Sequence, residues 1–282
     1  MDIRLLVAYN LHLIRTCNGD KMNNRKNTTI FILAFVAVMS LMTVLVLADS
    51  DPPFGVQTIN EIQSSRPDLT TYPPDSVEIT AGNVTEVNLY GISTTKAWAG
   101  YYGNITGTIT LQTSDGYVFY NWTSIRPKGE IYAATVNSIT WADIKCFDYA
   151  GGAGQPGDLT WAETLYGIDS VDEDGFNETF LAQTNNAFQV GTVPIGANTC
   201  QTANTYVYGL GGPNGNDFEN VILTDAVNLV FTTIIENHNA GDNSDVTGFD
   251  NRPHQFQLLI AEDGHDGQED TTTTYYFWAE IE

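Results

Sequence analysis

The sequence predicts an all-β protein built as an antiparallel β-sandwich, immunoglobulin-like or jelly-roll-like, with long acidic loops. Three observations predict it. From residue 76 on, the chain breaks into ten or eleven short segments rich in Val, Ile, Thr, Tyr and Phe, bounded by Gly, Asn and Asp turns. Helical periodicity is almost absent. A span of this length is ordinary for a single all-β domain.

The elements follow in order. Ser76–Thr80 and Val84–Tyr90 alternate apolar and polar residues about a Gly82-Asn83 turn. Ile105–Gln112 and Tyr117–Trp122 flank Ser114-Asp115-Gly116, and Asp-Gly suits a turn that needs positive φ. Pro127-Lys128-Gly129 turns into a strand over Ile131–Val136, and a further strand is expected over Ile139–Ile144. Gly151-Gly152-Ala153-Gly154 interrupts regular structure, and Thr160-Trp161-Ala162-Glu163 fits a capping box opening one short helix. Strands resume at Thr205–Tyr208, Asn220–Leu223, Asn228–Ile235, Gln255–Ala261 and Thr273–Ile281. In the last, Tyr275 and Phe277 point one way and Tyr276 and Trp278 the other, as expected of a strand covered on both faces. A division into two smaller sandwiches near 151–157 is the alternative organisation.

The N-terminal part reads differently. Ile30–Ala48 is apolar except for Ser40 and Thr43, follows Arg25-Lys26, and ends Val46-Leu47-Ala48 before a polar stretch. That is the pattern of a signal peptide, with an uncleaved membrane-anchor helix as the alternative, since the run approaches the roughly 20 residues that span a bilayer. Residues 1–21 read as an upstream extension and 22–48 as the signal or anchor. Residues 49–75 hold five of the ten prolines and read as a linker or arm. Residues 76–282 are the sandwich. Either fate of the apolar run places residues 49–282 outside the cytoplasm, secreted or anchored at the cell surface.

Charge and cysteines agree with that location. The chain carries a net −23, and from residue 49 on 32 acidic side chains face six basic ones. Such a surface repels nucleic acid and anionic lipid, so membrane contact is expected only through residues 30–48. With 42% hydrophobic and 11% aromatic residues the chain has enough apolar material for a core, which argues against disorder. Cys146 and Cys200 are the only cysteines after residue 48, an even count that predicts a disulfide contributing about 3–4 kcal/mol. Asn83, Asn104, Asn121 and Asn177 each begin an Asn-x-Thr sequon and are candidate glycosylation sites.

For chemistry, the best candidate is the loop holding Asp169, Asp172, Asp174 and Glu178 around Gly175. Closely spaced carboxylates about a glycine turn are the oxygen donors calcium takes, though EF-hand spacing is absent. Calcium is the one cofactor expected, and a solvated acidic turn is the plainer reading. Two further Asp/Gly loops, around Asp242–Asp250 and Asp263–Asp270, share the composition. No His-Glu-x-x-His, Gly-x-Ser-x-Gly, Ser-x-x-Lys or phosphate-loop motif occurs, so no catalytic residues are assigned. Trp98, Tyr101, Tyr102, Tyr117, Tyr120 and Trp122 cluster in sequence, as a sugar-binding platform does, although aromatics in strands more often fill the core.

The segments Val-Asp-Glu-Asp-Gly-Phe-Asn-Glu-Thr-Phe (171–180), Gly-Phe-Asp (248–250), Phe-Gln-Leu-Leu-Ile-Ala-Glu-Asp (256–263) and the ending Thr-Tyr-Tyr-Phe-Trp-Ala-Glu-Ile-Glu together resemble a group of exported, acidic, β-rich surface proteins of small-genome archaea. The resemblance spans most of residues 75–282. It implies a surface-exposed β protein and brings no catalytic residues with it. The expected function is therefore a non-catalytic extracellular structural or interaction protein: an envelope component, adhesin or filament subunit. Its partners would be other surface proteins or further copies of itself. The alternatives are a carbohydrate-binding module, possibly calcium-dependent, that takes glycans, and thirdly a secreted hydrolase.

Overall fold

The computed structural model describes residues 52–65, 76–78, 80–124, 128–150, 152–169, 171–210, 212–213, 217–236, 246–262 and 272–281. Ser50–Glu282 group as one compact unit. The protein is mostly β, and its sheets are antiparallel. The principal sheet contains β1 (Phe54–Gly55), β5 (Gly129–Ala134), β6 (Lys145–Cys146), β9 (Thr202–Asn204), β12 (Glu219–Thr224), β13 (Leu229–Ile234) and β15 (Tyr276–Ile281). Its order is β1-β15-β5-β13-β12-β6, with β9 sharing the outer edge of β12. A two-stranded ribbon pairs β2 (Trp98–Gly103) with β14 (Phe256–Ala261), and three hairpins complete the β structure: β3–β4 (Gly107–Gln112, Val118–Ser124), β7–β8 (Phe188–Val190, Val193–Ile195) and β10–β11 (Tyr206–Val207, Gly212–Pro213).

The principal sheet is covered on both faces, which is why every residue of β5 and β12 is buried. On one face Ile131, Ala133, Ile222 and Phe231 pack against Leu258 and Ile260 of β14, and against Leu159 and Ala162 of α1 (Leu159–Leu165) and Phe176 of α2 (Phe176–Thr179). On the other, Tyr132, Val221, Leu223, Val230 and Trp278 meet Phe188, Val190 and Ile195 of the β7–β8 hairpin. Alternating side chains along each strand feed these two cores. In β15, Phe277 packs with the first core and Trp278 with the second, as the alternation of Tyr275–Trp278 predicts, although Tyr276 remains 41% exposed.

Asn220, Thr233 and Tyr275 hold the ribbon to the sheet. β14 directs alternate backbone groups to β2 and the others to the principal sheet, where no strand lies alongside. Side chains take that place. Asn220 accepts from the Leu259 amide (2.9 Å) and donates to the Gln257 carbonyl (3.0 Å). The Thr233 hydroxyl donates to the same carbonyl (3.2 Å), and the Tyr275 hydroxyl donates to the Ala261 carbonyl. Asn220 and Thr233 are 1% and 0% exposed, so no water substitutes for these bonds.

Cys146 and Cys200 form the expected disulfide, closing 54 residues of separation. Such a loop corresponds to about 4 kcal/mol in the chain-entropy account. Buried Asn185 sets the position of Cys200: its carbonyl oxygen accepts from the Thr199 and Cys200 amides, each at 2.8 Å, and its amide donates to the Gly196 carbonyl.

Several expected elements differ. The Asp115-Gly116 hairpin, the helix near Thr160 and the five later strands are present, but the helix cap is Asp158, which accepts from the Trp161 amide (2.8 Å), and not Thr160. Thr205–Tyr208 contributes only two paired residues. Ile139–Ile144 is not a strand. Asp225 accepts from the Thr140 amide (3.0 Å), and Trp141–Asp143 forms a single 3-10 turn that presses Trp141 against Tyr132 and Trp278. Of the two strands expected over Ser76–Thr80 and Val84–Tyr90, the Gly82 turn is there, but Glu78, Thr80 and Val84–Tyr90 are exposed and not in strands; Ile79 lies outside the described residues. In the 49–75 arm, Phe54–Gly55 pair with β15 of the same chain.

Replacing Asn220 by Leu should cost about 2–4 kcal/mol, because it leaves buried β14 backbone groups unsatisfied. Denaturant unfolding of N220L against the parent chain measures this; a change under about 1 kcal/mol contradicts the assigned role.

Candidate functional site

Two surface features stand apart from the core. The first is the β3–β4 hairpin. Its root is tight: a side chain at Gly107 would come within 2.1 Å of the Ile281 methyl group. The register pairs Ile109 with Trp122 and Leu111 with Tyr120, so these four share one face. They are 46%, 52%, 51% and 56% exposed, respectively. The opposite face carries Thr108, Thr110 and Asn121, with Phe119 toward the tip. Such alternation normally marks a strand pair with one buried face, yet among the described residues this sheet has only its two strands.

The second is a shallow groove of about 460 Å³ lined by Tyr206, Val207, Tyr208, Gly209 and Phe249. Buried Gln257 builds it. Its amide donates to the Thr205 hydroxyl (2.6 Å) and the Tyr206 carbonyl (3.1 Å), and its oxygen accepts from the Phe249 amide (2.9 Å). Beside it Tyr102 meets Phe249 and His254 edge-on, at 4.9 and 4.8 Å between ring centroids. Arg252 lies 6.0 Å above the Tyr102 ring. Asp250 pairs with both Arg252 and His254; burial pushes its carboxyl up, but the hydrogen bonds from Arg252 and then His254 together outweigh it and hold the carboxyl below the usual range.

The acidic loop serves the fold. The Asp172 carboxylate accepts from the Asp169 amide (2.8 Å), the Asp174 carboxylate accepts from the Thr95 hydroxyl, and the Asp174 carbonyl accepts from the Trp98 indole (2.6 Å). Asp169 and Glu178 are exposed. Among the described residues no three His, Cys, Asp or Glu side chains converge as metal ligands. Residues 241–245 and 263–270, which hold most of the other two Asp/Gly loops, lie outside the described residues, as does the apolar run 30–48. No described helix is long and apolar enough to cross a membrane.

The aromatic cluster divides. Trp98 is not part of a surface platform: it packs on Phe176 and Phe180 at 5.3 and 5.7 Å, because β2 turns it into the core. Tyr101, Tyr102, Tyr117, Tyr120 and Trp122 are exposed. Of the sequon asparagines, Asn83, Asn104 and Asn121 are exposed and Asn177 is half-buried in α2. The Asn104 side-chain oxygen accepts from the Gln255 amide (3.2 Å).

Buried and partly buried carboxylates are tied into the structure. Glu280 accepts from the Gly191 amide (2.9 Å) and the Tyr132 hydroxyl (3.2 Å), and Glu130 lies opposite it on β5. Both are at most 6% exposed, so this pair does not open on a cleft. Glu219 accepts from the Asn186 side chain (2.7 Å), and Glu236 accepts from the Phe218 amide (2.7 Å). Sequence reasoning missed Gln257, Asn185 and Asn220, since an isolated amide residue in a strand or loop carries no motif.

No known protein family matches this chain, and no curated protein or solved structure shows significant similarity to it.

Burial above all, then the nearby Asp217 and Glu219, push the Glu236 carboxyl up to about 7. The folded state thus holds that proton more tightly than the unfolded chain, where the group titrates near 4.5. Its influence is most favourable below about 4.5 and is lost as pH rises toward 7. Glu236→Gln keeps an acceptor for Phe218 and should raise Tm at pH 8 by several degrees while changing it little at pH 4. Equal Tm shifts at both pH values would contradict the assignment.

Proposed function

We propose that this chain is an exported, non-catalytic structural or interaction protein of the cell surface, and that the apolar face of the β3–β4 hairpin is its docking surface. The sandwich reading of its layered body, and export through residues 22–48, belong to the same proposal. One observation carries it: Ile109, Leu111, Tyr120 and Trp122 form a continuous apolar stripe, half exposed, on an otherwise amphipathic two-stranded sheet. An isolated hairpin is marginal in water, and contiguous exposed apolar surface commonly marks a protein contact. Charge supports the location. Residues 76–124 hold three acidic side chains (Glu78, Glu86, Asp115), whereas residues 125–282 hold 24. The hairpin is thus the part of a strongly anionic chain where another protein meets least repulsion. Asn121, the sequon within the hairpin, lies on the polar face, where a glycan leaves the apolar face open.

Two differently tagged full-length chains, co-expressed and extracted in mild detergent, should co-purify if the hairpin docks on a further copy, or with a surface partner from the same cells. The double substitution Ile109→Asp, Trp122→Asp should reduce that association at least tenfold without lowering the unfolding temperature by more than a few degrees. Undiminished association contradicts the reading.

A second reading, sugar binding, is favoured by the groove, where Tyr206, Tyr208 and Phe249 expose aromatic surface beside the Asp250–Arg252 pair. Aromatic faces with adjacent planar hydrogen-bonding groups suit the apolar and hydroxylated sides of a pyranose. On a glycan array, Tyr208→Ala should lower any binding about tenfold; a chain that binds no glycan removes this reading. Calcium at Asp169, Asp172, Asp174 and Glu178 is a further proposal, checked by whether added calcium raises Tm.

A further inference from the structure

We infer that residues 84–92 of one copy add as a strand to the open edge of the β3–β4 hairpin of a second copy. This rests on the docking surface proposed above and names its occupant. Three observations converge. First, Glu86-Val87-Asn88-Leu89 alternates as strand residues do, yet it pairs with nothing as a strand among the described residues; Leu89 and Tyr90 are each 89% exposed. A sheet-forming pattern left without a sheet in its own chain is what a donated strand looks like. Second, β3 and β4 pair only with each other among the described residues, so each offers an unpaired backbone edge. Third, the patterns match. In a paired strand Val87 and Leu89 share one face and Glu86 and Asn88 the other. Over residues 86–89 added to the hairpin, Val87 and Leu89 continue the stripe of Ile109, Leu111, Tyr120 and Trp122, while Glu86 and Asn88 lie with Thr108, Thr110 and Asn121; Tyr90 and Ile92 fall on that second face, which also carries Phe119.

Size favours a second copy as the occupant, and charge sets where two copies meet. A two-stranded face about 10 Å wide and 20 Å long presents on the order of 200 Å², far below the roughly 800 Å² per partner of a stable interface. Contact through the hairpin face alone is therefore too small. Reciprocal donation supplies the segment and the hairpin from each copy, four contributing elements with backbone hydrogen bonds added. A second copy also carries the same net −23, so approach is least opposed where both chains are poor in acids, and residues 84–92 hold only Glu86.

The test is disulfide trapping in the full-length chain with Cys17 replaced by Ser. One tagged chain carries Leu89→Cys. A second, differently tagged, carries Leu111→Cys to probe the β3 edge or Tyr120→Cys to probe the β4 edge. Mild oxidation should give a covalent heterodimer with one of the two acceptors, and Val87→Pro or Asn88→Pro in the Leu89→Cys chain should abolish it. Alternate N–H groups of a strand face its neighbour, so one of the two prolines must remove a ladder donor. If chains associate through the hairpin but Leu89→Cys traps neither acceptor, strand donation is wrong and the docking surface stands. If the bond forms only within a single chain bearing both cysteines, the segment folds onto its own hairpin and the inference is overturned. If parent chains do not associate with one another, donation between copies fails. If no association with any partner depends on the hairpin, the wider reading fails as well.

Discussion

The edge of β14 that faces the principal sheet has no strand beside it, and the rest of the architecture depends on how Asn220, Thr233 and Tyr275 complete it. Without those side chains the Leu259 amide and the Gln257 and Ala261 carbonyls would be buried without partners, at roughly 1–3 kcal/mol each. With them, the β2–β14 ribbon is fixed against the sheet in one register. That placement propagates. β2 brings Trp98 against Phe176 and Phe180 and so seats the acidic loop, and its end at Gly103 sets the approach to the hairpin root, where Gly107 lies against Ile281. Gln257 on β14 gathers the Tyr206 and Phe249 loops into the groove. Core, groove and hairpin are therefore consequences of one set of polar contacts.

The sequence reveals elements whose stabilising interactions are local or compositional. The Asp115-Gly116 turn, strands β12 to β15 and the Cys146–Cys200 bond follow from turn chemistry, strand alternation and an even cysteine count. It conceals those decided by long-range partners. Ile139–Ile144 reads as a strand, but Asp225, some 85 residues on, captures the Thr140 amide, and Trp141 gains more by packing on Trp278 than by pairing. The β7–β8 hairpin is three residues a side and leaves no clear pattern. Helix α1 is legible in the sequence but its cap is not, because Asp158 and Thr160 are both good capping residues and only the turn from Gln155 decides between them. Of the site, the exposed aromatics were visible as a cluster, while their division between core and surface was not. Tyr101 and Trp98 sit in the same short strand but, three residues apart, point to opposite faces, and only Trp98 is folded over by the Phe176 and Phe180 segment.

The segment before β2 is the informative discrepancy. Val84–Tyr90 has strand composition and alternation, and the structure gives it no strand partner. The hairpin after β2 has the converse property, paired backbone with an uncovered apolar face. Both lie in the acid-poor stretch between residues 76 and 124, whereas the rest of the chain is rich in acids, of which buried Glu280 and Glu219 are anchored to backbone and amide donors. An anionic body with one acid-poor, strand-forming region meets least charge repulsion at that region, which is where the proposed contact is placed.

The central claim is that side chains of the principal sheet replace a missing strand along β14. Native-state hydrogen exchange of the Leu259 amide tests it most directly. If Asn220 holds that amide, its exchange should require global unfolding, with protection equal to that of Val221 and Phe231 in the principal sheet. Fast exchange of Leu259 while those amides remain protected would show that the ribbon opens independently, and would contradict the account.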